Sequence, residues 1–242
     1  ADDVIRVVNR SNQRGGRMLS LVDLIEAETF TVTQAAWATE RIEAGASFLV
    51  GAMPGGAGKT AVMGALLTML PPGERVQVTH SGGGLFSAGG TGVDGWRSGG
   101  PGDCLVAYEI SPASYEAYIW ESEVQAFVER GRSGARLVAN LHADTLNQAY
   151  TQLTDDNGVA PDHFDVFDLF VPISMGGGFG RRSRVVEQID YRGEDGWQSV
   201  GRSPELSSRA GEIGEFLEDC RSDGVVTIEE VRRLWLRFLD GK

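Results

Sequence analysis

The stretch Met53-Pro54-Gly55-Gly56-Ala57-Gly58-Lys59-Thr60 follows the apolar run Ser47-Phe48-Leu49-Val50 and precedes Ala61-Val62-Met63-Gly64-Ala65-Leu66-Leu67. This order reads as a buried strand, a glycine-rich loop and a helix, the setting that a phosphate-binding loop needs. Residues without Cβ can turn their N–H groups inward, and the helix that begins there points its positive end at the same spot. A phosphate cradle is therefore expected over Pro54, Gly55, Gly56, Ala57, Gly58, Lys59, Thr60 and Ala61. Lys59 would reach the β- and γ-phosphates of a nucleotide and Thr60 would ligate Mg²⁺. Met53 departs from the pattern G-x-x-x-x-G-K-[ST], standing where its first glycine belongs. The competing reading is a plain strand-to-helix connection that happens to contain Lys-Thr. Composition speaks against it, because only residues 59 and 242 among the 22 Lys and Arg are lysines.

The same composition bounds the rest. With 242 residues and 41% hydrophobic content the chain can bury one large α/β core with additions. No apolar run approaches the roughly 18 to 20 residues of a membrane span, and no secretory leader is read at the start. Cys104 and Cys220 stand far apart without metal-ligand spacing, so a reduced, cytoplasmic protein without direct membrane insertion is expected. A net charge of −12 argues against nucleic acid as a partner. An acidic surface poor in lysine fits a halophilic source, possession of an arginine-biased genome fits equally, and the sequence leaves both open.

In chain order, Val4 to Val8 reads as a short strand and Ser20, with Asp23 three residues on, as the cap of a helix over 21–27. A helix is expected from Thr33 to Ala44, ended by Gly45. After the loop and its helix, Pro71-Pro72-Gly73 forces a turn before a strand at 74–79, completing a βαβ unit. Ten of the 21 residues from Gly82 to Gly102 are glycine, which reads as a loop with a short hairpin near 93–96, either a surface insertion or a nucleotide-sensing flap. The strand 104–109 delivers Glu109, and the strand 135–141 delivers His142, to the C-terminal strand ends where open parallel sheets bind ligands. Helices are expected over 114–130 and from Thr145, strands over 167–173 and 183–190, and a helical tail over 204–239 broken at 222–224. Calcium-loop spacing around Asp219 to Glu230 is spoiled by Arg221 at a ligand position, so a helix end capped by Thr227 is expected there.

Together these residues resemble the secretion ATPases of the type II/type IV superfamily, which drive pili, archaeal flagella and protein export. The resemblance rests on Gly-Ala-Gly-Lys-Thr at 56–60, Tyr108-Glu109, Asn140-Leu141-His142-Ala143-Asp144-Thr145, the Arg181-Arg182-Ser183-Arg184 strand start and Thr-Ile-Glu-Glu-Val at 227–231. It implies a P-loop NTPase of α/β class with a RecA-like, mostly parallel sheet flanked by helices and a small helical C-terminal extension. The division it implies is a lead-in over 1–45, the ATPase core over 46–203 and the helical region over 204–242. It further implies ATP and Mg²⁺ as cofactors, Glu109, Lys59 and His142 as catalytic residues, and Thr60 with Glu109 as metal ligands. Glu109 would activate water, and His142 would sense the γ-phosphate or signal to a neighbour. A hexameric ring and a membrane platform protein are the implied partners, with the chain peripheral at the inner face of the cell membrane, and a haloarchaeal member of the superfamily would suit the composition.

The sequence also departs from that pattern. No acidic pair follows the second strand, where His80-Ser81 stands, and Ile110-Ser111-Pro112 replaces an arginine after Glu109. Most of the preceding domain that lends arginines across a subunit boundary is expected to be missing, which leaves Arg6, Arg10, Arg14 and Arg17. Such losses would weaken hydrolysis more than binding. A catalytically weakened nucleotide-binding subunit is therefore an alternative, and a P-loop small-molecule kinase a third reading. Glu109 as a solvated strand end and His142 as a satisfied histidine beside the core also stay open.

Overall fold

The computed structural model describes residues 2–12, 15–53, 55–80, 84–87, 100–176 and 183–241. Its elements in chain order are α1 (Asp3–Ser11), α2 (Leu21–Glu26), α3 (Val32–Glu43), β1 (Phe48–Gly51), α4 (Lys59–Leu67), β2 (Arg75–His80), β3 (Gly84–Ser87), β4 (Asp103–Ile110) and β5 (Tyr118–Ile119). There follow α5 (Ser122–Arg132), β6 (Arg136–Leu141), α6 (Leu146–Thr151), β7 (Leu169–Pro172), β8 (Ser174–Gly176), β9 (Ser183–Val185), β10 (Ile189–Gly193), β11 (Gly196–Val200), α7 (Ser208–Ser222) and α8 (Ile228–Asp240). The main sheet has the order β11-β10-β7-β1-β6-β4-β2-β3, with β5 beside the end of β4. Its central strands β7, β1, β6, β4 and β2 run parallel, while β3, β10 and β11 are antiparallel additions at the edges.

The fold is thus the α/β, mostly parallel sheet flanked by helices that the sequence implies. Parallel strands buried on both faces need apolar side chains on both, and the sheet supplies two cores. One joins Val50, Val106 and Val138 to α1, α2, α3, α4, α7 and α8. The other joins Leu49, Leu105, Ala107 and Leu137 to Phe127 of α5 and to Phe164 and Phe167 before β7. The β1 strand lies between β6 and β7, and one strand, β6, separates it from β4, so the loop after β1 and the end of β4 open at one sheet edge.

Gly51 at the end of β1 has no room for a side chain. A Cβ there would lie 2.3 Å from the Ala143 carbonyl oxygen and 2.5 Å from the Phe170 ring. Gly51→Ala is expected to cost about 2 to 3 kcal/mol of stability through overpacking, read as a lowered denaturant midpoint with an unchanged slope.

Several expectations are corrected. Residues 4–8 are helical within α1, not a strand: Asp2 accepts the Val4 N–H as N-cap, and Val4, Val7, Val8 and Ser11 bury one face at helical spacing. The β-branched run favours a strand locally, and burial of one face at helical spacing overrides that preference in the fold. The helix expected over 114–130 starts only at Ser122, because residues 118–119 pair with Glu109 and Ile110 as β5, and Ala117 and Glu121 take positive φ around them. The single strand expected over 183–190 is two. Residues of β9 pair with β8 in a separate ribbon, and β10 turns antiparallel along β7. Strand β3 lies inside the glycine-rich stretch taken as loop, while the hairpin near 93–96 lies outside the described residues. Helix α3 begins at Val32 with Thr31 as its cap, slightly earlier than expected.

Other local readings hold. Ser20 and Asp23 form the reciprocal capping box, and Thr227 accepts from the Glu230 N–H at the start of α8. Both cysteines are free and buried; burial pushes both thiols up, Cys220 to about 11, so neither is a reactive thiolate. No helix among the described residues is long and apolar enough to cross a membrane.

Candidate functional site

The loop after β1 carries its glycines where the backbone needs them. Gly56 has φ +81° and Gly58, the N-cap of α4, has φ +99°, a region that side chains with Cβ avoid. Met53 does not need to be glycine: its φ is not positive, its side chain is half exposed, and its N–H is held by Asp144 Oδ1 at 2.7 Å. The start of the loop is therefore set from the β6–α6 connection. Pro54 lies outside the described residues.

Lys59 opens α4 and is 7% exposed. Its Nζ lies 2.6 Å from Glu109 Oε1, donates to the Ala52 carbonyl at 3.2 Å, and sits 3.3 Å from His142 Nδ1. His142 Nε2 in turn approaches the same Glu109 oxygen at 2.8 Å. Neither approach to Oε1 has hydrogen-bond alignment, so Lys59 meets this buried oxygen through charge and His142 stands beside it. The other carboxylate oxygen, Oε2, accepts the Tyr118 hydroxyl at 3.0 Å. Two strand ends thus meet one helix start, and the polar groups they deliver converge.

The convergence is braced from behind. Gln152 is buried, accepts the His142 N–H at 3.1 Å and donates to the Ile110 carbonyl at 2.8 Å, tying the ends of β6 and β4 together. A cleft of about 550 Å³ opens in front, lined by Gly55, Gly56, Ala57, Gly58, Lys59, Thr60 and Ala61 and by Glu109 and His142. Every described residue expected at the site therefore borders one space. Tyr115, which is exposed, and Tyr118 also line it, their rings packed edge to face at 5.2 Å.

Of the candidate arginines near the start of the chain, Arg17 lines the cleft but is held by both oxygens of Asp23, at 2.6 and 2.8 Å, and by the Val226 carbonyl. Arg10 pairs with Glu116 and Arg6 with Asp3, and Arg14 lies outside the described residues. Sequence reasoning missed Asp144, Tyr118, Gln152 and Arg184. Asp144 lay within the segment 140–145 already singled out, and Arg184 within the arginine run, whereas nothing local marks Tyr118 or Gln152.

The residues present fit a nucleotide. Glycines with positive φ, a nearly buried ammonium and a helix start surround a space large enough for a phosphate chain. No cluster of three acidic, histidine or cysteine side chains able to hold a metal occurs among the described residues. A Mg²⁺ ion here would therefore take part of its coordination from phosphate oxygens, with Thr60 and Glu109 as the protein ligands at hand.

No family model matches the chain, and no curated protein matches it. Among solved structures, the VirB11 ATPase from the Brucella suis type IV secretion system, determined in complex with sulphate, is similar over 69% of this chain and 55% of its own, at 17% identity and a TM-score of 0.46. The chain spans about half the length of that structure, and a likeness this slight carries no argument about activity.

Proposed function

We propose that this chain is an ATP-binding, secretion- or pilus-type motor ATPase domain, with Glu109, Lys59 and His142 as the catalytic groups. The observation that carries the reading is the meeting of Lys59 Nζ and His142 with Glu109 Oε1 at the mouth of the glycine loop. The supporting sequence pattern is Asn140 to Thr145, whose His142 and Asp144 both face that loop. On this reading the segment 46–203 is the ATPase core, 1–45 its lead-in and 204–242 a helical extension, and the partners are copies of the chain in a hexameric ring and a membrane platform protein at the inner face of the membrane. Bound Mg²⁺ would neutralise phosphate charge, while the protein orients water through Glu109 and binds the phosphate chain through Lys59 and the loop N–H groups.

A second reading has a specific observation behind it. Both Glu109 oxygens are already engaged, by Tyr118 and by Lys59 with His142, and a base in that state must be released before it can act. A nucleotide-binding subunit with slow turnover would keep this arrangement.

The two readings part in the concentration dependence of hydrolysis. A ring motor completes each site with groups from its neighbour, so turnover per subunit is expected to rise steeply as the ring assembles. A surface at −12 repels its copies at low ionic strength, so the rise is expected at lower protein concentration in high salt. Fast, concentration-independent hydrolysis by a proven monomer would remove the ring from the proposal; no hydrolysis at any concentration, with ATP bound, would favour the slow subunit.

A further inference from the structure

Strand β9 belongs to the small ribbon with β8, yet its central residue reaches the glycine loop. Arg184 Nη2 donates to the Gly56 carbonyl at 3.2 Å. Its stem lies across Gly58, where a Cβ would come 3.0 Å from Arg184 Cδ and 3.5 Å from Nε. The cleft therefore has three cations on its wall, and they differ in their partners. Lys59 faces Glu109 and Arg17 is clasped by Asp23, whereas Arg184 forms no ion pair among the described residues and holds only a neutral carbonyl.

Resting on the nucleotide reading above, we propose that Arg184 is a phosphate ligand supplied within the same chain, its guanidinium passing from the Gly56 carbonyl to the terminal phosphate of a bound nucleoside triphosphate. The direction of the exchange follows from charge: the guanidinium meets a full negative charge on a phosphate oxygen and only a neutral dipole on the Gly56 carbonyl. The fork geometry allows two parallel bonds to such an oxygen pair, which an ammonium cannot make. The absence of a side chain at Gly58 is what lets the arginine stem lie against the loop, so the glycine serves both the helix start and this approach. Charge that the sequence reading sought from a neighbouring subunit is in this way present at the site in one copy.

The test is calorimetry with Mg²⁺-ATP and Mg²⁺-ADP on the full chain, the wild type beside Arg184→Ala and Arg184→Lys. Arg184→Ala is expected to weaken ATP about tenfold while leaving ADP within about twofold, the size of one charge-assisted hydrogen bond lost to the third phosphate. Arg184→Lys should recover part of the preference. The loss of preference is expected to persist at the lowest protein concentration at which binding is measurable, since donor and loop share a chain. Equal weakening of ATP and ADP, an unchanged ATP-to-ADP ratio, or an effect that disappears on dilution would overturn the assignment. If circular dichroism shows Arg184→Ala unfolded, Arg184→Gln, which keeps a donor for Gly56 without the charge, decides by the same ratio. Failure of the wild type to bind either nucleotide would strike the nucleotide reading itself, and is separable from a wild type that binds both and a variant that binds both alike.

Discussion

Lys59→Ala is expected to weaken ATP binding by at least about a hundredfold, because it removes the ammonium aimed at the phosphates and with it more than one charge-assisted hydrogen bond. The side chain is nearly buried, so no mobile surface lysine stands behind it, and the only other lysine is residue 242. The same substitution has a second consequence in the unliganded protein. Glu109 is largely buried and faces Lys59 at 2.6 Å, so the variant leaves a carboxylate with His142 as its remaining close basic neighbour. Removing one partner of such a pair costs about 3 to 5 kcal/mol when burial is complete, and less at this partly open site. A lowered melting temperature is therefore expected for Lys59→Ala, partly restored in the Lys59→Ala/Glu109→Gln double variant, in which no carboxylate is left unpaired. ATP binding should stay lost in both. Unchanged ATP affinity in a folded Lys59→Ala protein, read by calorimetry, would sink the phosphate-loop reading.

How much of this was legible in the sequence depends on the range of the interactions involved. The loop, its flanking strand and helix, and the strand-end positions of Glu109 and His142 follow from apolar runs and glycine placement within a few residues, and the fold has them as expected. The capping box at Ser20 is equally local, and so is the one at Thr31, which is not singled out in the sequence although the helix is expected to begin at Thr33, one residue after its start at Val32. What failed was decided at a distance. The β-branched residues of α1 look like a strand, and they form a helix because one face packs against the sheet and α4, with Tyr108 donating to the Val7 carbonyl. Likewise, nothing near Tyr118 announces that it will pair beside β4 and place its hydroxyl on Glu109. Met53 makes the same point in reverse. Its apparent defect comes from comparison with a pattern; in the fold its φ is not positive and its side chain is half exposed, so no glycine is needed there, and a carboxylate 91 positions later in the chain holds its N–H.

Glu109→Gln is expected to lower turnover by about a hundredfold or more while ATP affinity stays the same or tightens slightly, since it deletes a proton-accepting group and no phosphate contact, and the amide oxygen it leaves can still face a Mg²⁺ ion held mainly by phosphate oxygens. The sign of the affinity change follows from the unliganded contacts. Lys59 must leave Glu109 Oε1 to meet a phosphate, and an amide in place of the carboxylate holds the ammonium less strongly. The Tyr118 hydroxyl can still donate to the amide oxygen, so the shape of the site is preserved and the variant isolates charge from packing. Among the described residues lining the cleft, Glu109 is the one carboxylate, which leaves no acid beside it to take over as base. His142 is the remaining proton acceptor within reach of that oxygen, and it is separated from Glu109 by experiment: if His142 were the base, Glu109→Gln would leave the single-turnover rate nearly intact and His142→Ala would abolish it. Single-turnover hydrolysis with saturating Mg²⁺-ATP, set beside calorimetric affinity for the same variants, measures both quantities. An undiminished rate in Glu109→Gln would move the chemistry to another group and remove the end of β4 from the mechanism.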